Sequence, residues 1–174
     1  MELKNRPFYE RLSFDEAFVG ARALRLTELI GRQGDEFFQD VGLTAPSRTT
    51  STILFIDHNG PSSLVEIARG LGEQHQLTAQ RTTLLEDLSI IKRKPDPNDQ
   101  RRKIFHLTKR GAAEVVLIEA RCREAINVFD DLNNELGFNL GVALDAAQKA
   151  LSQRSMMERL KTTSDEAKLE TAHG

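Results

Sequence analysis

Tryptophan is missing from these 174 residues, Tyr9 is the only tyrosine and Cys122 the only cysteine. One thiol leaves no internal disulfide, so a reducing, cytoplasmic setting is expected. Long apolar runs are also missing. None approaches the ~18 uncharged residues of a membrane span, and the N-terminal MELKNRPFYERLSFDE has no secretory h-region. Signatures of chemistry are equally scarce: no Gly-rich phosphate loop, no Gly-x-Ser-x-Gly and no His-Glu-x-x-His. His58, His75, His106 and His173 are scattered, none beside Cys or a carboxylate at metal-ligand spacing. Asp57-His58 reads as a helix end rather than half a catalytic dyad. The expectation is no enzyme, no metal and no cofactor.

What is present is ordinary in amount and uneven in placement. The chain is 39% hydrophobic and 29% charged, enough for one compact domain, or one domain plus an arm, with a real core. Its formal net charge is −2, yet residues 60–111 carry ten Lys/Arg against six Asp/Glu. A basic middle between acidic flanks suggests a polyanionic partner.

Periodicity organises the rest. Ser13-Phe-Asp-Glu16 has the pattern of a capping box and opens a long helix ending near Gly42, with Gly31 and Gly34 as weak points. Pro46 starts a second helix that stops at Asn59-Gly60-Pro61. Ser63-Leu-Val-Glu66 caps a short third helix, broken at Gly70 and Gly72. A fourth spans about Gln74 to Leu88, with Leu77, Leu84, Leu85 and Leu88 as its core side and a polar side of His, Gln and Thr. Residues 90–94 and 103–107 read as two strands joined by Pro95–Arg102. Thr108 caps a long helix ending at Gly137, and a last helix runs from about Asn139 through Met156 and Leu160.

A helix-turn-helix followed at once by a two-stranded ribbon is a winged helix. The fold class is mainly α with a small β-hairpin wing and dimerisation helices at both ends. The expected divisions are 1–45, arm and dimerisation helix; 46–111, winged helix-turn-helix; 112–162, C-terminal dimerisation helices; and 163–174, a loose tail. The apolar faces of 14–41 and 112–160 are broader than a three-helix winged domain can cover, and two copies packing together would bury them.

The residues at this point resemble the MarR family of bacterial transcription regulators. Matching segments are Gly42-Leu-Thr44, Asn59-Gly-Pro61 and Leu64 through Gly72. The specific part is IIKRKPDPNDQR followed by KIFHLTKRG, where the family has an Arg-x-Asp-Pro-x-Asp-x-Arg wing and a Leu-Thr-x-x-Gly junction. The resemblance implies a homodimer with interlocking terminal helices, set to read a pseudo-palindromic duplex. It also implies a cleft near Phe37 and Phe38 that accepts a small anionic or aromatic effector. The chain departs from the family at GEQHQLTAQR, at Ser89 in place of a glycine, and at Gln100 in place of an arginine. The family therefore does not supply the target sequence.

The residues themselves point to double-stranded DNA. A major groove admits one helix, and amides and guanidinium groups read base edges there. His75, Gln76, Thr78, Gln80 and Arg81 supply such groups in the first two turns of the fourth helix. Pro95 and Pro97 stiffen the wing, so Arg101 at its tip is placed for a minor groove, with Asp99 holding an arginine by a bidentate pair. Lys94 and Lys103 flank the loop as phosphate contacts, and Arg102 joins the basic set. The function expected is a DNA-binding transcription regulator, a repressor with no membrane association, released where a ligand disfavours the DNA-spaced dimer. The alternatives are a winged-helix protein–protein adaptor without DNA reading, and a thiol-based oxidation sensor at Cys122; an inert buried thiol is the plainer account of that residue.

Overall fold

A computed structural model of the chain describes residues 7–97, 99 and 101–162. The expected loose tail, 163–174, lies outside the described residues. The chain divides between Cys122 and Arg123, inside one long helix, into two compact units.

The first unit begins differently from expectation. Ser13-Phe-Asp-Glu16 forms no capping box. Two 3-10 turns, Phe8–Arg11 and Asp15–Phe18, precede α1, which starts at Val19 and runs to Gln39. Local stacking takes over: the rings of Tyr9 and Phe14 lie 5.2 and 6.2 Å from that of Phe18, and Arg22 pairs with Asp15 at 2.7 Å. Gly31 and Gly34 do not interrupt α1. Gly34 serves close packing instead, because a Cβ there would lie 2.8 Å from the Ser47 hydroxyl, which Asp35 holds. Gly42, with φ of 80°, turns the chain away as expected.

Pro46 leads a 3-10 turn into α2 (Thr50–Asn59), and Gly60 ends it. α3 (Leu64–Leu71) opens on the expected box: the Ser63 N–H donates to Glu66 at 2.8 Å and the Glu66 N–H donates to the Ser63 hydroxyl at 3.4 Å. Gly70 does not break this helix; it lets Phe55 of α2 lie where a Cβ would meet the ring at 2.0 Å. Gly72, left-handed at φ 63°, ends it. α4 (His75–Asp87) follows.

The wing is β2 (Ile91–Pro95) paired antiparallel with β3 (Lys103–Leu107), Arg93 lying opposite Phe105 and Lys94 opposite Ile104. A third strand was not foreseen: β1, only Ser62–Ser63, pairs with the far edge of β3 and gives the order β1-β3-β2. Two serines carry no alternation to read.

Thr108 caps α5 (Lys109–Leu136) as expected, accepting from the Gly111 N–H at 3.0 Å while its hydroxyl donates to the Ser89 carbonyl at 2.7 Å. Ser89 itself sits at φ 58°, the conformation for which the family's glycine is suited. Ile53, Ile56, Ile67, Leu85, Ile90, Ile91, Phe105, Val115 and Ile118 form the core of this unit. Phe38 belongs to that core at 7% exposure, Phe37 packs against it, and the Arg121 guanidinium lies 4.5 Å above the Phe37 ring. Both rings are thus part of the packed interior, Phe38 wholly and Phe37 in part. Cys122 is partly buried against the same core. Glu114, unnoticed in the sequence, is buried in α5 and accepts from the Thr44 hydroxyl at 2.5 Å and the Ala45 N–H at 3.2 Å. It anchors the loop before α2.

In the second unit α5 ends at Gly137, φ 74°, and Asn139 caps α6 (Leu140–Gln153) by accepting from the Val142 N–H at 2.9 Å. α6 does not continue to Leu160. Arg154 is extended, and a box of Ser155 with Glu158 restarts the helix over residues 156–162. The Ser-x-x-Glu pattern was there to be read. α6 buries none of its residues.

Candidate nucleic-acid interface

The helix-turn-helix is built by α3 and α4, and burial along α4 sets which side chains face out. Thr78, Thr82 and Leu85, spaced i, i+4, i+7, are the buried ridge, whereas Leu77 is 41% exposed. This reverses the sequence expectation, which put Leu77 in the core and Thr78 outside. A buried threonine satisfies its hydroxyl on its own helix: Thr82 donates to the Ala79 carbonyl at 3.0 Å, and Thr78 reaches the Gln74 carbonyl at 3.4 Å. Thr78 is therefore removed from the set of outward contacts. Arg81 also turns inward, half-buried, paired with Glu73 and 3.4 Å from the Ser51 hydroxyl. His75, Gln76 and Gln80 are exposed, as expected, with Leu77 and Thr83 beside them. That outward face carries no charge until Asp87.

The wing loop closes on its own backbone. The Asp96 N–H donates to the Arg102 carbonyl and the Arg102 N–H to the Asp99 carbonyl, both at 2.9 Å. Asp99 does not clasp a guanidinium as expected; its carboxylate accepts from the Arg101 backbone N–H at 3.0 Å. The arginine that is held is Arg102, by different acids. Glu66 contacts it at 2.5 Å and Asp96 at 3.7 Å, and it donates to the Ser63 hydroxyl at 3.2 Å. Arg102 thus ties the wing to the capping box of α3. Glu66, absent from the sequence-derived set, is the missed partner; nothing in a linear capping box shows that its carboxylate has a second client 36 positions on.

The Arg102 guanidinium, then the Ser63 N–H and hydroxyl, hold the Glu66 carboxyl down at about 2 from its ordinary 4.5. A lowered folded-state pKa contributes stability that is complete above 4.5 and disappears as pH falls toward about 2. The thermal midpoint is expected to fall through that window, and to fall less in Glu66→Gln. Equal acid sensitivity in both proteins would refute the latch.

The register separates the remaining cations. Lys103 shares a face with Arg93 and Phe105; Lys94 lies with Lys92 and His106 on the other. His106 is pushed below its usual range, first by burial and then by Lys94 and Lys92. The Lys103 face borders a groove of about 570 Å³, lined by Val65 and Phe105 together with His75, Arg93 and Lys103. The start of α4 and one side of the wing therefore edge the same depression. Arg93 strengthens the link, 3.4 Å from Glu86 of α4. Arg101 is exposed at the wing tip and forms no ion pair among the described residues. Lys94 is exposed but is not brought to this groove. Among the described residues no group of three His, Cys, Asp or Glu is placed to hold a metal ion, and no helix is long and apolar enough to cross a membrane.

No protein-family model matches the chain, and comparison with curated proteins finds no match. Solved structures do match. A MarR family transcription regulator superposes with a TM-score of 0.51 at 19% identity, covering 89% of this chain and 95% of that one. The fold is the MarR-type winged helix. Wild-type MarR from E. coli, in its apo form, shares it at a TM-score of 0.50 and 17% identity over 76% of this chain and 95% of its own. So does overoxidized AbfR bound to DNA, with a TM-score of 0.50 and 20% identity over 74% of this chain and 94% of its own. The MarR-type fold accounts for the order helix-turn-helix, ribbon, long helix seen here. The Leu107-Thr108-x-x-Gly111 junction has a physical reason: Thr108 caps α5, and a Cβ at position 111 would lie 2.1 Å from the Ile90 carbonyl oxygen.

Proposed function

We propose that the chain is a homodimeric transcription regulator that binds double-stranded DNA. The observation that carries the reading is the groove that His75, at the start of the uncharged, amide-bearing face of α4, shares with Arg93 and Lys103 on the cationic face of the wing. A duplex offers base edges to the first and phosphates to the second. A protein of the same fold, AbfR, has been captured on DNA. Of the sequence-derived set, His75, Gln76, Gln80, Arg101 and Lys103 are the direct contacts in this proposal. Arg81, Asp99 and Arg102 shape the surface, and Lys94 reaches a phosphate only from the outer side of the wing.

Dimerisation rests on unburied apolar surface. In the second unit Val142, Leu144 and Leu151 stand 64, 51 and 52% exposed, and Phe129 and Phe138 add to them. Leu144 and Leu151, seven positions apart, share one side of α6, and exposed apolar residues in this number mark a surface that another covers. Two copies would set their α4 helices into successive major grooves, about 34 Å apart on a pseudo-palindrome.

The test is a fluorescence titration of random duplex DNA at two salt concentrations. Steep, salt-dependent binding is expected; no binding at low salt would favour a protein–protein adaptor. Light scattering at micromolar protein is expected to show the dimer, and a monomer there would remove the two-groove arrangement.

A further inference from the structure

We propose that Leu77 reads a thymine, by packing against its C5-methyl group in the major groove. The inference rests on the duplex reading above and specifies what part of the duplex α4 recognises. Leu77 is the third residue of α4, in the turn where such a helix meets base edges. It is 41% exposed although the buried ridge of the same helix is made of two threonines and a leucine. Gln76 and Gln80, both exposed and one i, i+4 step apart, lie together on the outward side of it, Gln80 one i, i+3 step on. An apolar side chain beside two amides on an uncharged face suits a base pair that offers a methyl next to hydrogen-bonding edges. Only A·T pairs do so: thymine presents its methyl, and glutamine pairs with the adenine N6 and N7. The cation one turn on, Arg81, is drawn inward by Glu73, and Lys103 and Arg101 stand on the wing, so charge does not compete for the position.

The experiment begins by selecting duplexes from a random pool with the wild-type protein. Each thymine of a recovered site is then replaced singly by deoxyuridine, which removes the methyl and leaves the pairing edge intact. One position per half-site is expected where the replacement weakens wild-type binding about fourfold, the effect of one buried methyl. Leu77→Ala is expected to bind the thymine and uracil forms of that position equally, with an unchanged thermal midpoint. Recovered sites without a methyl-sensitive position, or a Leu77→Ala protein that keeps the preference, overturn the thymine contact alone. A pool with no enrichment overturns the duplex reading and this inference together. The uracil series on wild type requires no variant to fold.

Discussion

Arg101→Ala/Lys103→Ala is expected to bind duplex DNA on the order of a hundredfold more weakly at about 0.1 M salt. Its plot of log K against log[salt] should flatten by about 1.8 per protomer engaged, ~0.9 for each phosphate contact removed. These two are chosen because their cationic groups are exposed and enter no ion pair among the described residues. Arg102 is a useful contrast. Its guanidinium is already held by Glu66 and Asp96, so Arg102→Ala should lower affinity by loosening the wing while leaving the slope almost unchanged. A double variant whose salt slope matches wild type would mean that the wing does not touch phosphate.

Gly111→Ala is expected to cost about 3 kcal/mol and to lower the thermal midpoint by roughly 10 °C. The added Cβ would lie 2.1 Å from the carbonyl oxygen of Ile90, a residue with no exposed surface just before the wing. That carbonyl cannot retreat, since it accepts from the Thr108 N–H at 3.0 Å and anchors the cap of α5. Gly70→Ala meets a closer atom, the Phe55 ring at 2.0 Å, yet should cost less than half as much. A partly buried ring can swing aside; a hydrogen-bonded backbone cannot. Urea unfolding of the two variants side by side decides it, and equal losses would contradict the distinction.

The ends of elements were the most legible part of this protein. Ser63 with Glu66, Thr108, Asn139 and the glycines at 42, 60, 72 and 137 act through bonds or torsions within a few residues, so their pattern is complete in the sequence. The failures at Ser13 and beyond Gln153 have different causes. At Ser13 three stacked rings outweigh one cap, and their approach is a matter of chain path. After Gln153 a run of apolar residues continued the helical period across a break that Ser155 and Glu158 mark.

The site was less legible, and Thr78, Leu77 and Arg102 show why. Polarity was used as a guide to exposure, but a threonine that bonds its own helix can be buried, and a leucine can be left outside for a partner. An arginine in a basic cluster was counted as a cation for DNA, although α3 had placed a glutamate against it. By itself, then, the order of residues settled the winged-helix class, most helix limits and the basic character of the ribbon, since these depend on period, caps and composition. Only tertiary packing decided which face of α4 looks outward, which wing charges are neutralised and which side of the hairpin Lys94 takes. Those depend on neighbours tens of residues away, brought together when α2, α3 and the sheet close over one core.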